Sequence, residues 1–160
     1  MIGVMADSHD NLPAIKQAVS VFRQANCRLV IHAGDFVAPF AARELAALGC
    51  PVRAVFGNCD GEKQGLRQAL HPFGKIAKPP LMFSAFNHKF LVTHVHYKLE
   101  SYLSSGKEEI IIFGHTHRPE IKKKNNVLLL NPGESGGWLS GQKTVALLDP
   151  ATLTGEIIYL

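Results

Sequence analysis

The sequence predicts an α/β protein, a four-layer αββα sandwich of two stacked mixed sheets with helices outside. Three observations predict it. Short apolar runs alternate with amphipathic segments in the first part of the chain. A second part, richer in apolar or alternating runs, follows. The early runs are apolar throughout, the pattern of strands covered on both faces.

Each element has its own signal. Met1 to Ala6 reads as a buried strand. Asp10, Asn11 and Pro13 supply helix-start chemistry, and Ile15, Ala18, Val19, Phe22 and Ala25 repeat at helical spacing, so a helix is expected over 13–25. Arg28 to Ala33 is the next strand. Pro39 to Leu48 is the next helix, closed by Gly49. Pro51 to Phe56 is a third strand, and residues 62–70 form a helix interrupted by Gly65. Further strands are expected at 89–93, 109–113, 127–130, 143–148 and 155–159, with a short helix from Tyr97 to Ser105. Residues 1–160 show no repeat, linker or domain boundary, so one domain is expected.

Composition narrows the class. With 160 residues, 46% hydrophobic and 19% charged, the chain can bury a core without a disulfide or structural metal. Lys and Arg number 17 against 13 Asp and Glu, a net +4 that does not by itself argue for nucleic acid. The run Lys122-Lys123-Lys124 reads as a solvated strand edge. Cys27, Cys50 and Cys59 are odd in number and lack CxxC spacing, which points to a reducing compartment. No apolar run approaches the ~20 residues of a membrane span. The opening Ile2-Gly3-Val4-Met5-Ala6 meets Asp7 at once, unlike a signal peptide. A soluble, cytoplasmic protein is expected.

Five short elements stand at the ends of predicted strands: Asp7-Ser8-His9, Gly34-Asp35, Gly57-Asn58-Cys59-Asp60, His94-Val95-His96, and Gly114-His115-Thr116-His117. Loops at the carboxyl ends of strands in such sheets share an edge and can meet. Asp7/His9, His94/His96 and His115/His117 are spaced i, i+2, which in an extended segment points both side chains to one side. The donors are carboxylate, carboxamide and imidazole. That set suits a catalytic Mn, Fe, Co, Ni or Zn better than a Cys-rich structural zinc. Taken singly, each has a plainer reading. Asp7 and His9 would cap the first helix, Asp35 would sit in a turn, and His115 and His117 would be loop histidines. His32 reads as a core histidine, His71 and His88 as exposed.

The ordered set DSH, GD, GNCD, a His after an apolar strand, and GHTH resembles the calcineurin-like metallophosphoesterase superfamily, in particular its compact phosphodiesterase branch. The resemblance implies two divalent metals, Mn first, with Ni, Fe, Co or Zn as alternatives. Asp7, His9, Asp35 and His117 would hold one, and Asp35, Asn58, His94 and His115 the other. It implies hydrolysis of a small phosphodiester by in-line attack of a hydroxide that bridges the metals. Asp60 and His96 are candidate catalytic groups; Asn58, Cys59 and Arg118 are candidate substrate contacts. Two departures stand out. Cys59 occupies the place of a histidine that protonates leaving groups in many relatives, which favours diesters over monoesters. Val95 stands where a glycine is usual, so the His94 loop is expected to be altered. Asn131-Pro132-Gly133 resembles a loop near the site, although a tight turn would account for it. Trp138, among glycines, is a candidate subunit contact or substrate lid, and residues 134–141 a candidate oligomer contact. The alternatives are a non-catalytic protein-interaction module on the same fold and a phosphomonoesterase. Neither a membrane nor a nucleic acid is expected as partner.

Overall fold

The computed structural model describes residues 1–160. The chain runs through β1 (Ile2–Met5), α1 (Leu12–Gln24), β2 (Leu29–His32), α2 (Pro39–Arg43), β3 (Val52–Val55), α3 (Lys63–Leu70) and β4 (Gly74–Ala77). It continues through β5 (Leu81–Ala85), β6 (His88–Val92), α4 (Leu99–Ser105), β7 (Ile110–Ile112), β8 (Pro119–Lys124), β9 (Val127–Pro132), β10 (Thr144–Asp149) and β11 (Thr154–Tyr159). One sheet has the order β11-β10-β1-β2-β3-β4, the other β5-β6-β7-β9-β8. Both are mixed: β1 to β4 run parallel, as do β6, β7 and β9, with antiparallel strands beside them.

Alternation along the strands builds the layers. Ile2, Val4, Leu29 and Ile31 face Phe90, Val92, Ile110, Ile112, Leu128 and Leu130 between the sheets. Met5, Val30, Val52 and Ala54 point the other way, to Ile15, Phe22, Leu45, Leu66 and Leu70 of the helices. Leu91, Ile111, Phe113 and Leu129 carry the far face of the second sheet against Leu103 of α4. Each fully buried aliphatic side chain contributes roughly 1.5–3 kcal/mol.

The structure departs from the sequence reading in a few places. Residues 39–48 are not one α-helix. The α turn ends at Arg43, and Glu44–Leu48 tightens into a 3-10 helix before Gly49 at φ 71°. Three residues per turn stack Leu45 and Leu48 on one face, and both are buried. The strands β4, β5 and β8 were not expected. All three are sheet edges, where half the pattern faces solvent and the apolar run disappears. The Lys122–Lys124 run lies on the edge strand β8, exposed as expected. His88 is not exposed: it begins β6, with ring nitrogens 3.2 Å from Glu109 Oε1 and 2.9 Å from the Pro150 carbonyl. His71 is exposed and His32 fully buried, as expected.

The parallel strands place the site. Asp7 follows β1, Asp35 follows β2, Asn58 follows β3, His94 follows β6, and His115 and His117 follow β7. All leave their sheets at the carboxyl edge.

Candidate metal centre

Asn11, not Asp7 or His9, caps α1; its Oδ1 accepts from the Ala14 N–H at 3.2 Å. That leaves Asp7 and His9 free for other work. They project from a turn, not an extended segment. Asp7, His9, Asp35, His115 and His117 all have φ between 42° and 69°, the left-handed region that side chains other than glycine seldom adopt. Asp7 and His9 therefore converge because the backbone turns sharply as it leaves β1, not through strand alternation; of the other two i, i+2 pairs, only His94 and His117 turn inward, while His96 and His115 do not join them. Such clustered strain is characteristic of functional sites.

Packing allows the loops to approach closely. A Cβ on Gly57 would collide with Asp35, and one on Gly114 would lie 2.8 Å from Asp7 Oδ2. Across the two sheets, the His115 N–H donates to Asp7 Oδ2 at 3.0 Å; within the first sheet, the Cys59 N–H of the loop after β3 donates to Asp35 Oδ1 at 2.8 Å. Each carboxylate thus has one oxygen held by the backbone and one turned inward.

The inward atoms meet. Asp7 Oδ1 lies 3.6 Å from His117 Nε2 and 4.0 Å from His9 Nε2. His9 Nε2 is 3.9 Å from Asp35 Oδ2, which is 3.3 Å from His94 Nε2. Asp7 Oδ1 and His9 Nε2 are buried without a hydrogen-bond partner. An orphaned carboxylate oxygen beside imidazole nitrogens is costly unless a cation joins them.

His94 makes the same point for a second position. Its Nδ1 donates to the Ala33 carbonyl at 2.8 Å, which leaves Nε2 with its lone pair. Yet Nε2 faces Asn58 Oδ1 at 2.8 Å and Asp35 Oδ2 at 3.3 Å, both acceptors. Either a second proton or a cation must sit among them. Burial opposes the proton, but the Asp35 carboxylate outweighs it and raises the His94 pKa. The residues present fit divalent cations: hard oxygen and borderline imidazole donors, two carboxylates, and lone pairs aimed at common points.

Electrostatics follow from the same contacts. Burial pushes the Asp7 carboxyl up to about 6. Burial also works to raise Asp35, but the His94 hydrogen bond and charge, with the Cys59 N–H, pull it down to about 2. Burial lowers His9 and His115.

The other expected residues are placed as follows. His94 is buried beside Asn58 and Asp35, and Val95 has no positive φ, so its branched side chain meets no left-handed strain here. His115 lines the cavity, but its Nε2 is 3.0 Å from the exposed Tyr97 hydroxyl rather than among the converging donors. Asp60 is buried, and its carboxylate accepts from the N–H groups of Asp35, Val37 and Gly57 at 2.8–3.1 Å. It does not line the cavity. His96 is exposed and lines an adjoining cavity of about 690 Å³, with Arg118 shared between the two. The cavity over the converging donors, about 560 Å³, is lined by His9, Asp35, Asn58, Cys59, His117 and Arg118 among others. Cys59 is exposed; what burial its thiol has, with the Asp35 charge, raises it to about 11.

The sequence assigned no contacts to several supporting residues, although it set Ser8 in a strand-end element and Asn131-Pro132-Gly133 in a loop resembling one near the site. Ser8 Oγ meets His32 Nε2 at 3.0 Å beneath the site. Asn131 is buried and donates to the Gly114 carbonyl and Thr116 Oγ1, so the Asn131-Pro132-Gly133 segment supports the GHTH loop rather than merely turning. Glu134 is fully buried 3.3 Å from His117 Nδ1. An acidic residue among small ones after Asn-Pro-Gly was the available signal, but periodicity says nothing about loop burial. No helix is long and apolar enough to cross a membrane.

Comparison with known proteins agrees with this geometry. The chain is 38% identical over 152 residues to a phosphodiesterase of Methanocaldococcus jannaschii, covering 92% of each. It superposes with TM-score 0.95 on a solved archaeal phosphodiesterase at 36% identity, covering 99% of both chains. A Vps29 single mutant from Entamoeba histolytica, 20% identical and covered over 98% of its length, shares the fold with TM-score 0.73. The model of the calcineurin-like phosphoesterase superfamily domain matches residues 1–152. The strand-end donors and these matches lead to one conclusion: the chain belongs to the calcineurin-like phosphoesterase superfamily.

Proposed function

We propose that this chain is a metal-dependent phosphodiesterase, a phosphoric ester hydrolase acting on a small phosphodiester. The observation that carries the reading is the set of inward lone pairs, with Asp7 Oδ1 and His9 Nε2 orphaned and His94 Nε2 facing two acceptors. Asp7, His9, Asp35 and His117 would hold one divalent ion, and Asp35, Asn58, His94 and His115 a second. His115 would first give up its Tyr97 contact. When bound, such ions supply an activated water and offset charge on phosphoryl oxygens. Mn is the first choice, with Ni, Fe, Co or Zn as alternatives.

The protein's own groups do the positioning. The Ala33 carbonyl fixes the His94 tautomer. Asp60 holds the backbones of Asp35 and Gly57 and is a positioning residue, not an acid or base. Arg118, on the wall shared by the two cavities, offers its guanidinium to a phosphoryl oxygen, and His96 lies beyond it. The Cys59 thiol stays protonated and is a weak proton donor, which suits diesters with good leaving groups. We place the chain in the cytoplasm as a single domain over 1–160. The exposed Trp138 and Leu139 are its candidate self-association contact.

The test is to strip the metal, restore metals singly, and compare a diester with its matched monoester. Hydrolysis of the diester should require metal and vanish in Asp35→Ala and His115→Ala. Unchanged turnover in either variant refutes the ligand assignment. Metal binding without hydrolysis of any phosphoester returns the chain to a non-catalytic interaction module, and a strong monoester preference overturns the reading of Cys59.

A further inference from the structure

We propose that Glu134 is a positioning residue that orients the His117 imidazole and anchors the Trp138–Ser140 segment, so that cation binding and the position of this cavity wall are coupled. The inference rests on the reading of Asp7, His9 and His117 as cation ligands.

Glu134 lies two residues beyond β9 with its side chain fully buried. Its Oε1 accepts from the N–H groups of Trp138 at 2.8 Å and Leu139 at 3.0 Å. Its Oε2 accepts from the Ser140 N–H at 2.8 Å and the Ser140 hydroxyl at 2.7 Å. These donors are neutral. The remaining polar partner within reach is the His117 imidazole, whose Nδ1 is 3.3 Å from Oε1. Burial opposes the charge of this carboxylate, but the Ser140 and Leu139 donors together with His117 outweigh it and hold its pKa below the usual carboxylate range, so the loop and the imidazole share one buried anion.

The two sets of contacts serve one place. A carboxylate facing Nδ1 keeps the proton there and leaves the Nε2 lone pair toward Asp7 Oδ1, 3.6 Å away. The segment held by the same carboxylate puts Leu139 and Ser140 on the cavity wall. Trp138 Nε1 donates to the His9 carbonyl at 3.1 Å, so a second candidate ligand is tied to this segment through its backbone. The His117 Nδ1 is buried and misaligned for a good hydrogen bond as it stands. A cation at Nε2 makes Nδ1–H a stronger donor. The imidazole then draws Glu134 toward it, and the wall moves with Glu134.

Trp138 is the single tryptophan of the chain, so its emission reports the wall. The metal-free full chain is titrated with Zn²⁺, a closed-shell ion, against a chromophoric chelator while emission is followed. In the wild type, emission should change in step with binding. Glu134→Gln keeps the volume and removes the charge. It should weaken Zn²⁺ binding about 10- to 100-fold and leave emission unresponsive to the ion. If E134Q does not fold, E134D, which keeps the charge but withdraws it by one methylene, should weaken binding by at least about threefold. Wild-type binding with flat emission overturns the coupling. Affinity in the folded variant within about twofold of wild type overturns the positioning role. If the wild type itself takes up no Zn²⁺, the metal-centre reading fails, and this inference with it.

Discussion

The backbone N–H of Asp35 donates to Asp60 Oδ2 at 3.1 Å, so one buried carboxylate fixes the strand end from which the other projects. Asp60 holds two further N–H groups, those of Val37 and Gly57. It ties the loops after β2 and β3 together.

Asp60→Ala should therefore act first on stability. Three N–H groups lose their acceptor, for a loss of about 3 kcal/mol. Asp60→Asn keeps one acceptor oxygen and should lose roughly half as much. Urea denaturation of metal-free protein measures both. A pH–rate profile that loses a limb while stability is unchanged would instead make Asp60 an acid or base.

Asp7 should show a conflict between stability and function. Burial raises its pKa to about 6. Between the unfolded value near 4 and this folded value, the native state binds more protons. Stability of the metal-free protein thus falls as pH rises through that range, and the cost persists at neutral pH. Asp7→Asn, which still accepts from the His115 N–H, should stabilise the metal-free protein at pH 7 by roughly 2–3 kcal/mol. It should also abolish the stabilisation that added metal gives the wild type. Thermal melts with and without metal check both halves; a destabilised metal-free variant would refute the first.

His32 should control part of the acid sensitivity. Burial pushes its pKa down to about 3, with Nδ1 accepting from the Gly34 N–H and Nε2 directed at Ser8 Oγ. The unfolded chain takes up a proton near 6.5, so stability is full above that pH. It is lost as pH falls toward 3, by up to about 1.4 kcal/mol per pH unit. His32→Asn preserves an acceptor for Gly34 and removes the titration. The gap between wild type and variant should narrow from pH 7.5 to pH 5. A constant gap across that range would show that His32 does not titrate on unfolding.

Cys59 offers a test of leaving-group chemistry. A thiol raised to about 11 cannot protonate an alkoxide efficiently near neutrality, whereas an imidazole can. Cys59→His should increase hydrolysis of alkyl phosphomonoesters by about tenfold or more. It should change an activated aryl diester by less than about threefold. Equal gains on both substrates would point to altered binding.

Much of the site was legible because its chemistry lies at strand ends, and strand ends can be read from apolar runs. Asp7, Asp35, Asn58, His94, His115 and His117 each follow such a run, and the structure brings their loops to one edge. Glu134 and Tyr97 were not legible. One is buried by a loop that folds over it, and the other reaches His115 through a bond that no sequence period encodes.

The sequence by itself determined the layers, since alternation of buried side chains sorts each central strand between a helix face and a sheet face. It also determined the set of donors. Tertiary structure alone decided the edge strands β4, β5 and β8, whose half-exposed patterns resemble loops. It alone separated inward donors from supports, turning His94 toward Asp35 and Asp60 toward backbone. The reason is physical: burial and hydrogen-bond partners come from residues distant in the chain, and the left-handed turns that aim Asp7, His9 and His117 are held by contacts across two sheets.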